Sequence, residues 1–144
     1  MDAIELLAKR HRDLLAVFDE LDFTDDLIER TRLIGRGAEL IKLHSALSED
    51  VFYPVVRGAD ARAVDEALAA HRAIDMLLDE VVGTPTPANV KVLRGLVAQH
   101  LADQEARLFP IARRLTESAS DLLADNLTRY AHAVEDQSLA AEGG

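Results

Sequence analysis

Cysteine is missing from all 144 residues, which excludes a disulfide framework, a thiolate metal site and a cysteine nucleophile and mildly favours a reducing compartment. No stretch approaches the roughly 18 apolar residues that a membrane span needs. The opening Met1-Asp2-Ala3-Ile4-Glu5 has neither the basic start nor the apolar run of a signal peptide, so a cytoplasmic location is expected. Positive charge is also scarce: the net charge of −10 argues against general binding to nucleic acid or to an anionic membrane, both of which need excess Lys and Arg. Strand signals are lacking, because β-branched residues are scattered singly and no alternating run ends in a hairpin turn.

What the chain does carry is helical spacing almost throughout. From about Asp2 to Leu21, Ile4, Leu7, Leu14, Phe18 and Leu21 form one apolar stripe, and His11 lies within it. Asp26 and Glu29 have capping-box spacing and start a second helix, whose Leu33, Leu40, Leu47 and Val51 share a face with His44. Gly35 and Gly37 weaken its early part, and Gly58 marks its end. A third helix, from about Asp60 to Val82, sets His71 among Val64, Leu68, Ile74 and Leu78, with Gly83 as the residue just past its end. Thr86 and Pro87 begin a fourth, which passes through Val90, Leu93, Val97 and His100 to about Thr116. Pro54 and Pro110 predict kinks near the ends of helices two and four. A fifth segment, Ser120 to about Ala141, has Leu123, Leu127, Tyr130 and Val134 on one side, and the tail Glu142-Gly143-Gly144 is expected to be disordered.

Short connections favour antiparallel neighbours, so the expected fold is all-α: an up-down-up-down four-helix bundle with an additional C-terminal helix. The length suits a single domain over residues 1–144, with the bundle at about 2–116 and the extra helix at about 120–141.

The spacing His-x4-Glu-x4-Pro occurs twice, at His44, Glu49, Pro54 and at His100, Glu105, Pro110, and each copy follows a helix with a histidine in its apolar stripe, His11 and His71. A duplicated helical hairpin follows. A neutral imidazole inside an apolar stripe needs a hydrogen-bond partner or a metal, since an unsatisfied buried polar group costs roughly 1–3 kcal/mol. Taken singly, each histidine reads as a satisfied core residue; four of them, with two glutamates, read as a metal site. Glu49 lies about 7.5 Å along the helix from His44 and can still reach a metal beside it. Glu105 stands in the same relation to His100, and its neighbours Leu101, Leu108 and Ala112 suggest that it faces inward. Glu49 also reads as a solvated residue beside Asp50, and Glu105 as a partner of Arg107 or Lys91. Tyr53 reads either as core packing, as Phe109 does in the matching place, or as a phenolate ligand, with Tyr130 a more distant one. His132 lies off the stripe and is expected at the surface.

These blocks, Lys9-Arg10-His11-Arg12-Asp13, His44 to Pro54, Ala70-His71-Arg72-Ala73-Ile74 and His100 to Pro110, resemble those of the hemerythrin-like proteins, the HHE cation-binding family. The resemblance covers about Asp2 to Arg114. It implies an antiparallel four-helix bundle with a non-haem di-iron centre, two iron ions bridged by carboxylate and oxo or hydroxo groups. By that resemblance His11 and His44 serve one iron, His71 and His100 the other, and Glu49 and Glu105 bridge. Many relatives carry a carboxylate four residues after the second histidine of each hairpin; here Ser48 and Gln104 stand there. The animal oxygen carriers have a fifth histidine one turn from the place of His71, where this chain has Ala67 and Asp75.

Imidazole and carboxylate donors suit iron, manganese or zinc, and the resemblance selects iron. The sequence has no Glu-x-x-His pair of the ferritin-like enzymes, no His-Glu-x-x-His helix and no glycine-rich phosphate loop. The function expected is binding of, or reaction with, a small ligand such as dioxygen, peroxide or nitric oxide. The alternatives are an iron-responsive module without turnover and a metal-free helical interaction domain.

Overall fold

The computed structural model describes the backbone of residues 2–143 and the side chains of residues 2–137. It is all helical among the described residues. Helix α1 spans Ala3–Asp22, α2 Leu27–Leu47, α3 Tyr53–Val56, α4 Ala61–Gly83, α5 Pro87–Arg107, α6 Phe109–Arg113 and α7 Glu117–Gly143, and a π-helical turn, Ser48–Phe52, joins α2 to α3. Helices α1, α2, α4 and α5 form the antiparallel bundle, and α7 packs along α1, α2 and the π turn. The C-terminal helix reaches Gly143, two residues past the expected end, so of the tail expected to be disordered Glu142 and Gly143 are helical and Gly144 lies outside the described residues.

Local chemistry places the helix starts. Asp2 accepts from the Glu5 N–H while Glu5 reaches back to the Asp2 N–H, a reciprocal pair that satisfies two otherwise orphaned donors. Asp26, Asp60 and Thr86 cap α2, α4 and α5 through the N–H groups of Glu29, Ala63 and Asn89. The expected box at Asp26 is half made: Asp26 caps, but Glu29 turns to Arg32 instead. Gly83 ends α4 in helical conformation with no positive φ, and Thr84 is the cap.

The two prolines are accommodated differently. Before Pro54 the backbone widens into the π turn, whereas before Pro110 α5 stops at Arg107 and a short new helix starts at Phe109. Both bury the aromatic ahead of the proline, Tyr53 in one hairpin and Phe109 in the other.

Two apolar clusters fill the bundle. One, near the chain start and α7, centres on Leu7, Leu47, Phe52, Val64, Leu108, Phe109, Leu123 and Leu127. The other, toward the α1–α2 and α4–α5 loops, contains Phe18, Leu33, Ile41, Leu78, Val81, Leu93 and Val97. Between them lies a polar layer. α7 is held by Leu123, Leu127 and Ala131, by Arg10 to Glu135 at 3.2 Å and by a hydrogen bond from Tyr130 to Asp50.

Glycines 35 and 95 lie on exposed helical positions with open space where a Cβ would stand. Replacing each with alanine removes unfolded-state freedom without strain, so Gly35→Ala and Gly95→Ala should each stabilise the protein by about 0.5–1 kcal/mol, read as a raised denaturant midpoint. A lowered midpoint would contradict the helical assignment there.

Candidate metal centre

Each bundle helix contributes one imidazole to the polar layer, at a point where its buried stripe passes between the two clusters. His11 follows Leu7 and precedes Leu14 on α1, His44 follows Leu40 and Ile41 on α2, His71 lies between Ala67 and Ile74 on α4, and His100 between Val97 and Leu101 on α5. All four are 1–7% exposed. Helices α2, α4 and α5 bring ring nitrogens of His44, His71 and His100 within 4.8 Å of one another. The Nε2 atom of His100 is 3.1 Å from that of His44 and 3.0 Å from that of His71. The His11 ring lies 5.3 Å from the His44 ring, centre to centre, and stacks on Phe109.

The outer nitrogens settle the tautomers. Nδ1 of His11 is 3.0 Å from a Glu105 oxygen, and Nδ1 of His71 is 3.2 Å from a Glu49 oxygen. A carboxylate only accepts, so each Nδ1 carries the proton and each neutral ring turns a bare Nε2 inward. Onto the His11 Nε2 the Gln104 amide donates at 3.4 Å, and the Gln104 carbonyl accepts from the Tyr53 hydroxyl at 2.8 Å. Tyr53 is also 3.1 Å from His71 Nε2.

Proton counting then exposes a conflict. With His71 Nε2 bare, neutral rings can bridge with a proton only one of the two contacts that His100 Nε2 makes. The other sets lone pair against lone pair. A cation among the three nitrogens would accept all three lone pairs at once, which is the arrangement of a three-imidazole metal site.

Burial keeps the rings neutral and therefore ready to ligate. It holds His11 and His71 below the ordinary 6.5, against the raising effect of Glu105 and Glu49. His44 lies well below 6.5, through burial and then the other three rings. His100 is held at about 3, by burial and then by His71 and His11. Burial also pushes the Tyr53 phenol up, so it is a neutral donor at physiological pH.

The remaining expected ligands are placed differently. Glu49 and Glu105 were expected beside the metal, with Glu105 facing inward, but their side chains are 44% and 47% exposed and sit on the outer nitrogens of His71 and His11. The interior positions belong to Ser48 and Gln104, both buried. The reason is angular: on an α-helix a residue four places on is rotated by roughly 40° from the histidine and one five places on by roughly 140°. Ser48 Oγ is fully buried without a hydrogen-bond partner. Arg107 pairs with Glu66 and not with Glu105. Tyr53 is drawn into the layer by the π turn, whereas Tyr130 bonds Asp50 outside it. His132 is exposed as expected.

Gln104 was not among the expected site residues, although its spacing of four from His100 places it on the same face. The donors present fit a cation at His44, His71 and His100, with His11, Tyr53 and Gln104 adjoining. Among the described residues, Glu49 and Glu105 reach this layer through the imidazoles of His71 and His11.

Titration of the rings gives a pH test. In the unfolded chain they protonate below about 6.5, while in the folded protein they stay neutral to lower pH, so the unfolded state binds more protons and stability falls as pH falls. For the metal-free protein the loss should begin near pH 6.5, at up to about 1.4 kcal/mol per pH unit for each ring. Urea midpoints measured from pH 7 to pH 5 should decline; a flat profile would mean that the rings are not buried neutral.

No helix among the described residues is long and apolar enough to cross a membrane. No curated protein and no solved structure matches the chain. A family profile, the hemerythrin HHE cation binding domain, matches residues 2–112, a span that contains all four imidazoles, Glu49, Tyr53, Gln104 and Glu105. With more than half of its length matched and the bundle and buried histidine cluster in place, the chain belongs to the hemerythrin HHE cation-binding family.

Proposed function

We propose that this protein holds two iron ions in its imidazole layer and there binds, or reacts with, a small ligand such as dioxygen, peroxide or nitric oxide. The observation that carries the reading is the convergence of His44, His71 and His100 within 4.8 Å at a point shielded from water. Iron bound there supplies exchangeable electrons and a coordination position for the incoming ligand. The family to which the chain belongs favours iron over zinc or manganese, between which the donors do not decide.

In this reading His44, His71 and His100 hold the first ion, and His11, with Tyr53 and Gln104 between the hairpins, provides for the second. Glu49 and Glu105 act from outside: each accepts the Nδ1 proton of its histidine, fixes the ring and makes its Nε2 a stronger donor. They thereby take an orienting role in place of the bridging one. Burial favours the neutral Tyr53 phenol, and a ferric ion held beside it would favour the phenolate, which would colour the protein. Leu, Val and Phe side chains on both sides of the layer limit its contact with water, which protects the bound ligand and strengthens each electrostatic contact. The bundle and α7 work as one domain.

A second reading, a sensor in which iron occupancy alters a partner surface without turnover, is favoured by one contact. Tyr130 of α7 bonds Asp50, next to Glu49, so a shift of the Glu49 turn is transmitted to the outer helix. An iron-dependent rise in melting temperature without consumption of dioxygen or peroxide would select it.

After expression in iron-rich medium the parent chain should contain about two irons, His11→Ala about one, and the His44→Ala, His100→Ala double variant close to none, by elemental analysis. Absence of stoichiometric iron from the parent would overturn the proposal, and equal content in all three would move the metal elsewhere.

A further inference from the structure

Helix α4 turns a row of alanines toward α5. Ala63, Ala67 and Ala70, spaced by four and three residues, lie opposite His100, Gln104 and Leu108. Where the other stripes of the bundle fill such space with Leu, Ile or Val, these methyls are too short, and a fissure of about 50 Å³ remains between the helices. Its rim is Glu66, Asp103 and Arg107, and its wall includes His100 and Gln104. The grooves at the α1–α2 loop end and along α7 have none of the four imidazoles in their walls.

A second observation points the same way. His100 is 4% exposed, and all of its hydrogen-bond contacts among the described residues run through Nε2. The outer nitrogens of His11 and His71 are each closed off by a glutamate. On the fissure side His100 has no such cover.

We propose that the fissure between α4 and α5 is the passage by which an uncharged molecule of about two or three heavy atoms reaches the imidazole layer at His100, with Ala67 setting its width. The assignment of small-ligand chemistry rests on the function proposed above; the passage itself does not. Size points to the class: a fissure of about 50 Å³ between two packed helices has room for a molecule of a few heavy atoms and little for a bulky substrate. The alanine methyls along the α4 wall offer an ion little in exchange for its hydration, which favours an uncharged molecule. At the mouth the Glu66–Arg107 ion pair links α4 to α5, and because both side chains are over two-fifths exposed it parts at little cost.

The test uses dissolved dioxygen as the probe and the metal-free protein labelled at alanine methyls. Ala63 is as buried as Ala112 and Ala131, so solvent exposure alone predicts equal paramagnetic relaxation at these three methyls under oxygen pressure. The passage predicts an enhancement several-fold greater at Ala63. Ala67→Leu should abolish the excess at Ala63 and, in iron-loaded protein of unchanged iron content, slow nitric oxide association by roughly tenfold or more. Ala70→Val gives a milder constriction and should shift both readings in the same direction if the leucine variant does not fold. Equal enhancement at Ala63 and Ala112, or an unchanged association rate in a folded constricted variant, would overturn the passage. Failure to bind iron would sink the proposed function and leave the oxygen result standing, so the two claims fail separately.

Discussion

Three imidazole nitrogens meet in the middle of this bundle at distances that neutral rings cannot all satisfy with protons, and the rest of the fold can be understood as what makes that meeting tolerable. Two apolar clusters enclose the layer from both ends. Burial lowers the basicity of every ring, so protonation does not relieve the conflict near neutral pH. A cation does.

The two hairpins solve the same problem with different parts. Each has one outer carboxylate that fixes a histidine from the first helix of the opposite hairpin: Glu105 holds His11, and Glu49 holds His71. This exchange ties the hairpins together and orients the rings before any ligand arrives. The repeats diverge after that. A π turn rotates Tyr53 into the layer, where it joins His71 to Gln104, while a break in α5 lets Phe109 stack under His11. The two hairpins thus pack a phenol against one ring of the layer and a phenyl ring against another.

Much of the architecture could be read from residue spacing, because it depends on local rules. Stripes at three and four residues marked α1, α2, α4, α5 and α7, and the Asp26 and Thr86 caps lie where the turn chemistry places them. The four histidines were legible for the same reason: each sits in a stripe and is therefore buried. The glutamates were not, since charge chemistry suggested that paired carboxylates belong near a metal while helical rotation carries the fifth residue outward and leaves Ser48 and Gln104 inside. The π turn escaped as well. Pro54 and Pro110 look alike in the chain, and only tertiary packing of Phe52 and Tyr53 in one hairpin and of Leu108 and Phe109 in the other separates their outcomes.

The account stands on the claim that metal in this protein is held by imidazoles of the interior layer and not by surface carboxylates, of which a chain with 26 Asp and Glu residues has many. X-ray absorption at the metal edge of the loaded protein addresses this directly, because imidazole rings give a distinctive outer-shell scattering pattern that carboxylates lack. The account predicts nitrogen-rich first shells with strong imidazole scattering, diminished when His44 and His100 are replaced. An oxygen-only shell, unaltered by those replacements, would contradict it.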